Sequence, residues 1–394
     1  MAGRGARKTH IKRAAAVLLL GLLTAVLLAG CGRAPASGEA ALEAHRTGSM
    51  ELQYAEQFHV DYYEENLAVI SIEDGLRYLL LPEGQEIPDW FPEEELPEVA
   101  VIRKPPGGIY LAASSAMDLF RAIDGHDAVT MTSTRAEDWG IPEIRELVQE
   151  DRIHYVGKYR APDYEALLEA ETGLAIESTM IYHSPLVKEA LEELGIPVLV
   201  ERSSYETDPM GRLEWIRLYG LLLGREEAAD AFFDEACYKI RSIDAETAGE
   251  PPQVAFFSVN SSDSVVARKP GDYITKMIEM AGGTYVLDDL VPEEENALST
   301  MNLQMEAFYD RAVDAEILIY NSTIEGDLQT IPDLLEKSDL FRDFKAVRSG
   351  NVWCTNRNVY QQTTGTAEMI REMNAIFTGT ADETQMVYFH RLES

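Results

Sequence analysis

From residue 108 onward, short apolar runs alternate with longer stretches whose apolar residues recur every three to four positions. The runs Gly108–Ala112, Ala128–Thr132, Ile153–Val156, Leu174–Ile176 and Val198–Val200 have the length and bounding residues of buried strands. Between them, Ser115–Ile123, Pro142–Gln149, Pro162–Ala170, Pro185–Leu194 and Gly211–Leu223 carry helical spacing, three of them with a leading Pro where helices tolerate it. Strands alternating with helices predict βαβ units and a parallel sheet. A second series follows, with Val254–Val259, Ile317–Tyr320 and Asn351–Cys354 as strands and Tyr273–Ala281, Asn302–Ala315, Thr330–Lys337 and Ala367–Phe377 as helices. The stretch 225–248 is free of Gly and Pro until Gly249-Glu-Pro-Pro, which predicts one long helix between the two series. Ahead of everything, Leu67 to Leu81 reads as two strands around Asp74-Gly75, a hairpin signal, and an acidic, Pro-rich stretch fills 82–98. The fold class is therefore α/β, with two Rossmann-like lobes joined by a single long helix and a ligand cleft between them.

The first 31 residues follow a different pattern. Five basic residues, Arg4 to Arg13, precede an uncharged run from Ala14 to Gly30, the layout of a secretory signal and short for a membrane span. The run closes in Leu28-Ala29-Gly30-Cys31, which resembles the bacterial lipobox, and this resemblance implies lipidation at Cys31. The organisation expected is a lipoprotein signal peptide at 1–30, a flexible tether at 31–50, an N-terminal lobe with its leading hairpin at 51–224, the inter-lobe helix at 225–248 and a C-terminal lobe at 249–394. The body is placed outside the cytoplasm, anchored by lipid to the bacterial cell membrane.

Composition narrows the function. The 394 residues hold 68 acidic against 34 basic side chains, a formal charge of -34, which repels nucleic acid and so argues against a nucleic-acid partner. Three cysteines are too few for a disulfide scaffold, and Cys237 and Cys354 read as buried unpaired thiols. No Gly-x-Ser-x-Gly, His-Glu-x-x-His, Walker-type or Gly-x-Gly-x-x-Gly motif occurs, against the usual hydrolase, metalloprotease and nucleotide-binding readings. Of the seven histidines, only His183 falls just after a strand, the end where α/β folds bind ligands, so neither a metal site nor a cofactor is assigned.

What the strand ends do carry is a repeated polar set: Ser114-Ser115, Thr132 to Arg135, Ser178-Thr179, Arg202 to Tyr205, Asn260 to Ser262 and Asn321 to Thr323. These side chains can donate to ligand oxygens, and they are equally the preferred helix caps. Arg135, Arg202, Arg268 and Lys269 stand out in so acidic a chain and would hold an anion if they converge, with Trp139, Tyr159, Tyr205 and Tyr360 as stacking surfaces. The binding set read from the sequence is thus Ser114, Ser115, Arg135, Trp139, Tyr159, Ser178, Thr179, Arg202, Tyr205, Asn260, Ser261, Arg268, Asn321 and Tyr360. There is also a faint repeat: a helix with Glu165 near its start leads to a strand ending in Ser178-Thr179, and one with Glu306 leads to Ser322-Thr323.

Three phrases then carry a resemblance. Val156-Gly-Lys-Tyr-Arg-Ala-Pro-Asp-Tyr-Glu165, Gly271 to Gly283 ending in Ala-Gly-Gly, and Phe344-Lys-Ala-Val-Arg-Ser-Gly-Asn-Val-Trp353 are similar to segments of the substrate-binding lipoproteins of ABC importers for iron-siderophore, haem and cobalamin. The likeness spans about residues 100–380, and Thr172-Gly-Leu stands where that family has Lys-Pro-Asp. It implies a non-enzymatic, monomeric protein that traps a small-molecule metal complex, a ferric siderophore or haem, and docks on an ABC permease through Glu165 and Glu306. Three other readings stay open: cobalamin or a bare transition-metal ion near His183 and Glu177 as cargo, an exported hydrolase using Ser114 or Ser178, and a surface interaction protein.

Overall fold

A computed structural model describes residues 37–243, 250–290, 299–356 and 359–394. The expected signal, Cys31 and the first residues of the tether lie outside these. From residue 37 the tether reading is corrected: Ser37–His45 forms helix α1 and Arg46–Ser49 strand β1. Residues 37–46 and Pro88–Pro97 make a small unit of their own, in which His45 stacks on Trp90 with ring centroids 4.4 Å apart. No helix among the described residues is long and apolar enough to cross a membrane.

The larger unit opens with strands β2 (Phe58–Tyr63), β3 (Ala68–Ile72), β4 (Arg77–Pro82) and β5 (Ala100–Lys104), part of a five-stranded sheet in the order β1-β2-β3-β4-β5. Gly75 at φ +90° makes the β3–β4 turn, with Leu76 N–H donating to Asp74 Oδ1 at 3.0 Å. Two buried carboxylates then tie the segment before β2 to lobe 1. Glu214 accepts the backbone N–H groups of Gln53, Tyr54 and Ala55, and Glu206 accepts those of Glu56 and Gln57 and the Trp215 indole N–H.

Lobe 1 consists of β6 (Ile109–Leu111), α2 (Met117–Ala122), β7 (Val129–Thr132), α3 (Pro142–Gln149), β8 (His154–Tyr155), the small hairpin β9–β10 (Gly157–Lys158, Ala161–Pro162), α4 (Tyr164–Glu169), β11 (Leu174–Ser178), α5 (Pro185–Glu193) and β12 (Val198–Glu201). Its sheet is wholly parallel in the order β12-β11-β6-β7-β8. Side chains alternate between two cores, as a strand buried on both faces requires: Ile109, Leu111, Leu174, Ile176 and Leu199 join one, Tyr110, Ala175, Val198 and Val200 the other.

The connection between lobes is a helix pair. α6 (Pro209–Leu223) has 13 buried residues of its 15, Arg212 and Glu214 among them, and is packed on all sides. It lies against α2 of lobe 1 and α8 (Tyr273–Met280) of lobe 2. α7 (Glu226–Arg241) buries only Ala229, Phe233, Ala236, Cys237 and Ile240, one amphipathic stripe. A Cβ on Gly220 would stand 2.6 Å from that of Ala229, so the helices meet where glycine permits it. The expected helix 225–248 therefore ends at Arg241, and residues 244–249 are outside the described set.

Lobe 2 departs from the plan of lobe 1. β13 (Gln253–Val259) turns straight back into the antiparallel β14 (Val265–Arg268), which pairs with β16 (Thr300–Leu303). The helix expected from Asn302 therefore starts later, as α9 (Met305–Ala312), because Asn302 and Leu303 belong to a strand. β15 (Thr284–Tyr285), β17 (Ile317–Tyr320), α10 (Ser322–Glu325), α11 (Ile331–Lys337), α12 (Lys345–Ser349), β18 (Val352–Thr355), α13 (Thr366–Thr378) and β19 (Phe389–Arg391) complete it. The sheet order is β16-β14-β13-β17-β18-β19, parallel at its centre and antiparallel toward both edges, with β15 on β13. Cys237 and Cys354 are both buried and unbonded to each other.

Candidate functional site

The two lobes enclose a cavity of about 290 Å³ lined by Glu137, Asp138, Trp139, Gly140 and Arg145 of lobe 1 and by Ser322, Thr323, Gly326 and Tyr360 of lobe 2. Lobe 1 supplies the loop that leaves the carboxyl end of β7, the edge at which open α/β sheets bind ligands. Lobe 2 supplies the turn that follows β17. Asn321 caps α10 by accepting from Thr323 N–H at 3.2 Å and Thr323 Oγ1 at 2.6 Å. Ser322 makes three hydrogen-bond contacts with Thr355 of β18, which fix the turn against its neighbouring strand. Two walls of different make thus face each other, one with two carboxylates and the Arg145 guanidinium, the other with hydroxyls and the Tyr360 ring.

The floor is held by the segment 360–366, which crosses to lobe 1. Gln361 Nε2 donates to Asp138 O at 3.0 Å and its Oε1 accepts from Gly140 N–H at 2.5 Å. Thr363 donates to Ser115 O at 3.4 Å, and buried Asp118 accepts the N–H and hydroxyl of Thr364 on one oxygen and the Arg121 guanidinium on the other. Arg145 donates through Nε and Nη2 to Trp139 O, at 3.0 and 2.5 Å, which orients the guanidinium on the cavity wall.

Of the residues expected from sequence, Trp139 and Tyr360 line this cavity, Trp139 fully buried, beside the turn that Asn321 caps. The expected convergence of cations does not occur, because each found a local partner. Arg202 donates to Gln57 at 3.1 Å and lies over the Tyr205 ring at 4.6 Å. Half-buried Arg268 pairs with Asp272 at 3.5 Å, and exposed Arg135 lies 3.8 Å from Glu137. Asn260 is committed to the β13–β14 turn, accepting from Ser262 and Ser264 N–H, with Ser261 exposed at the tip. Ser114 and Ser115 form the turn after β6, Ser178 and Thr179 the one after β11, and Tyr159 lies in the loop of the β9–β10 hairpin. None of these five lines the cavity. Sequence reasoning missed Arg145 and Gln361. The first sits within a helix whose apolar stripe dominated the pattern, and the second is an uncharged residue in a loop.

The pairing considered for a bare ion also fails to form. Glu177 is fully buried in lobe 1 with neither oxygen hydrogen-bonded, and burial pushes its carboxyl up to about 8, whereas His183 is exposed. A larger hollow, about 710 Å³, opens beside β8 and the β9–β10 hairpin, but one lobe alone lines it. Glu165 and Glu306 are both exposed in the first turns of α4 and α9, each helix leading into a parallel strand.

The sequence signature of the periplasmic binding protein family matches residues 113–358. Two uncharacterized lipoproteins of Methanocaldococcus jannaschii are similar over most of the chain. One is 22% identical over 86% of this chain and 84% of its own length, the other 24% identical over 80% and 79%. Among solved structures, the periplasmic heme binding protein HutB of Vibrio cholerae superimposes with a TM-score of 0.54, at 16% identity, over 67% of this chain and 98% of its own. A periplasmic heme binding protein of Pseudomonas aeruginosa gives 0.56 at 16% identity over 70% and 94%. The petrobactin-binding protein YclQ of Bacillus subtilis gives 0.55 at 13% over 70% and 93%. At such identities the likeness is one of fold.

Proposed function

The chain belongs to the periplasmic binding protein family, and from that premise we propose that it is the extracytoplasmic, lipid-anchored substrate-binding component of an ABC importer. Its cargo is an iron complex, a siderophore or haem, held between the lobes and handed to the permease through Glu165 and Glu306. As a solute-binding protein it performs no catalysis.

The observation that carries the cargo reading is the inter-lobe cavity itself, where Tyr360 offers aromatic surface and Arg145 a positioned guanidinium, with Trp139 fully buried behind the wall. Aromatic surface suits the flat ligand rings of a chelate, and the guanidinium suits its carboxylate or catecholate oxygens. The heme and petrobactin binders of similar fold bear on the same class of cargo. The cavity as it stands is small for such a ligand, so binding requires the two walls to part.

A thermal-shift screen of the purified protein against ferric siderophores, haem, cobalamin and divalent ions tests this, since a ligand that binds only the folded state raises its melting temperature. One ferric chelate or haem is expected to give a shift that Tyr360→Ala and Arg145→Ala reduce. A shift with cobalamin alone replaces the cargo, and no shift with any chelate overturns the reading.

A further inference from the structure

At the far edge of the lobe 2 sheet, Cys354 of β18 and His390 of β19 stand directly opposite each other in the antiparallel pair. Directly opposed residues project from the same face, so thiol and imidazole share one surface. Asp327, in the loop after α10, reaches over them. Its Oδ1 lies 3.5 Å from Cys354 Sγ and 3.6 Å from His390 Nε2, and one ligand atom from each residue lies within 4.8 Å of the other two. Around a metal with bonds of about 2.0–2.3 Å, neighbouring tetrahedral ligands stand about 3.3–3.8 Å apart. Two of the three edges already have that length.

The supporting contacts are those a metal-binding set needs. Asn356 Nδ2 donates to Val387 O at 2.7 Å, which fixes the amide so that its Oδ1 faces His390 Nδ1, also at 2.7 Å. Nδ1 therefore carries a proton to donate, and Nε2 is the nitrogen turned toward Asp327. Gln329 Nε2 donates to Asp327 Oδ2 at 2.8 Å, leaving Oδ1 inward. Nε2 also lies 2.7 Å from the Leu328 carbonyl. The Gln329 amide stands 3.5 Å from the same nitrogen, and imidazole nitrogen, carboxylate oxygen and thiol face one point that a cation can occupy.

We propose that Asp327 Oδ1, Cys354 Sγ and His390 Nε2 bind a divalent transition cation of the Zn2+ class, with a water as fourth ligand. Sulfur, imidazole and carboxylate in a tetrahedral frame select Zn2+ over the hard Ca2+ and Mg2+. The side chains of Asp327 and His390 are 31% and 25% exposed, which gives the ion a route in, while Cys354 closes the site from within. The ion takes the place of the Sγ proton, which leaves to solvent. The site staples the last strand to the loop that begins at Gly326, a residue of the cavity wall. It is structural and independent of the cargo.

The full chain, without a histidine tag and stripped by chelator, should take up one Zn2+ per molecule in calorimetry and melt at higher temperature with it. Co2+ should give a thiolate-to-metal charge-transfer band that vanishes in Cys354→Ser. Zn2+ affinity should fall by about 10–100-fold in Asn356→Ala, since Asn356 contributes no ligand and holds the histidine by its outer nitrogen. Asp327→Asn, in an exposed loop, serves where a buried variant misfolds, and should also abolish uptake. Absence of one-to-one Zn2+ binding, or binding unchanged in Cys354→Ser and Asp327→Asn, overturns the site. A Zn2+ shift lost in Cys354→Ser belongs here, and leaves the reading of the cleft to stand or fall on the chelates.

Discussion

Lobes 1 and 2 share a unit, an acid-started helix running into a parallel strand, as α4–β11 and α9–β17, and differ in nearly everything around it. Lobe 1 is fully parallel, covered on both faces, and contributes Trp139 and Arg145 from a loop and a helix. Lobe 2 opens with a hairpin, ends in an antiparallel edge strand, and contributes capped hydroxyls. The buried acids differ too. In lobe 2, Glu372 accepts the N–H groups of Val387 at 2.7 Å and Tyr388 at 3.0 Å, whereas Glu177 of lobe 1 has no hydrogen-bond partner. A buried carboxylate with donors acts as a strut and one without them as a liability.

The largest effect expected follows from the strut that α6 sets against the segment before β2. Glu214→Ala removes the acceptor of three backbone N–H groups and of the largely buried Arg217. A loss of about 3–5 kcal/mol in urea unfolding is expected, as when one partner is taken from a buried charged network. Retention of wild-type stability would mean that packing and the Glu206 bonds to Glu56 and Gln57 suffice to hold the segment 53–57.

Next comes the join between lobes. Asp118→Ala frees Thr364 and Arg121, and since Arg121 is partly exposed the cost is smaller, about 2–3 kcal/mol. The sharper readout is hydrogen exchange. Amides of Thr363–Thr366 should exchange faster while those of the lobe 1 strands keep their protection. Equal acceleration everywhere would show one cooperative body in place of two lobes clasped by a loop.

The sign of a third effect is opposite. The Glu177 carboxyl rises from its ordinary 4.5 to about 8, so the folded state holds a proton that the unfolded chain has released across that interval. Stability from this group is complete below pH 4.5 and is lost as pH climbs through 8. Glu177→Gln keeps the shape and removes the charge, so it should gain about 2 kcal/mol at pH 8 and nothing near pH 4.5. Urea midpoints at both pH values decide it, and a gain of equal size at both would assign the effect to packing.

Much of this architecture was legible because it follows from period. Alternation in runs such as Leu174–Ile176 and the stripe in Pro142–Gln149 needs only the local pattern. Asn302–Leu303 was misread because a strand feeding directly into a helix shows the helix's apolar spacing from its first residue. At the site, rarity misled. Arg202 and Arg268 are conspicuous in an acidic sequence, but a scarce cation among many carboxylates is soonest neutralised by its neighbours, as Arg268 is by Asp272. Arg145 and Gln361 act through positions that chain crossovers bring together, which no local pattern encodes.

The two shared helices give the smallest thermodynamic effect and the cleanest functional split. Glu165 and Glu306 are exposed first-turn residues, each complementing its helix dipole by a few tenths of a kcal/mol. Glu165→Ala and Glu306→Ala should leave stability within about 0.5 kcal/mol of the parent and cargo affinity unchanged. If the two lobes dock on a permease through these acids, each variant should lower transport in a reconstituted system, and the double variant should abolish it. Unequal losses would show that the lobes, alike in this unit, meet different surfaces of their partner. Unchanged transport by the double variant would make the shared glutamates helix starts and nothing more, and the permease contact would have to be sought elsewhere on the two lobes.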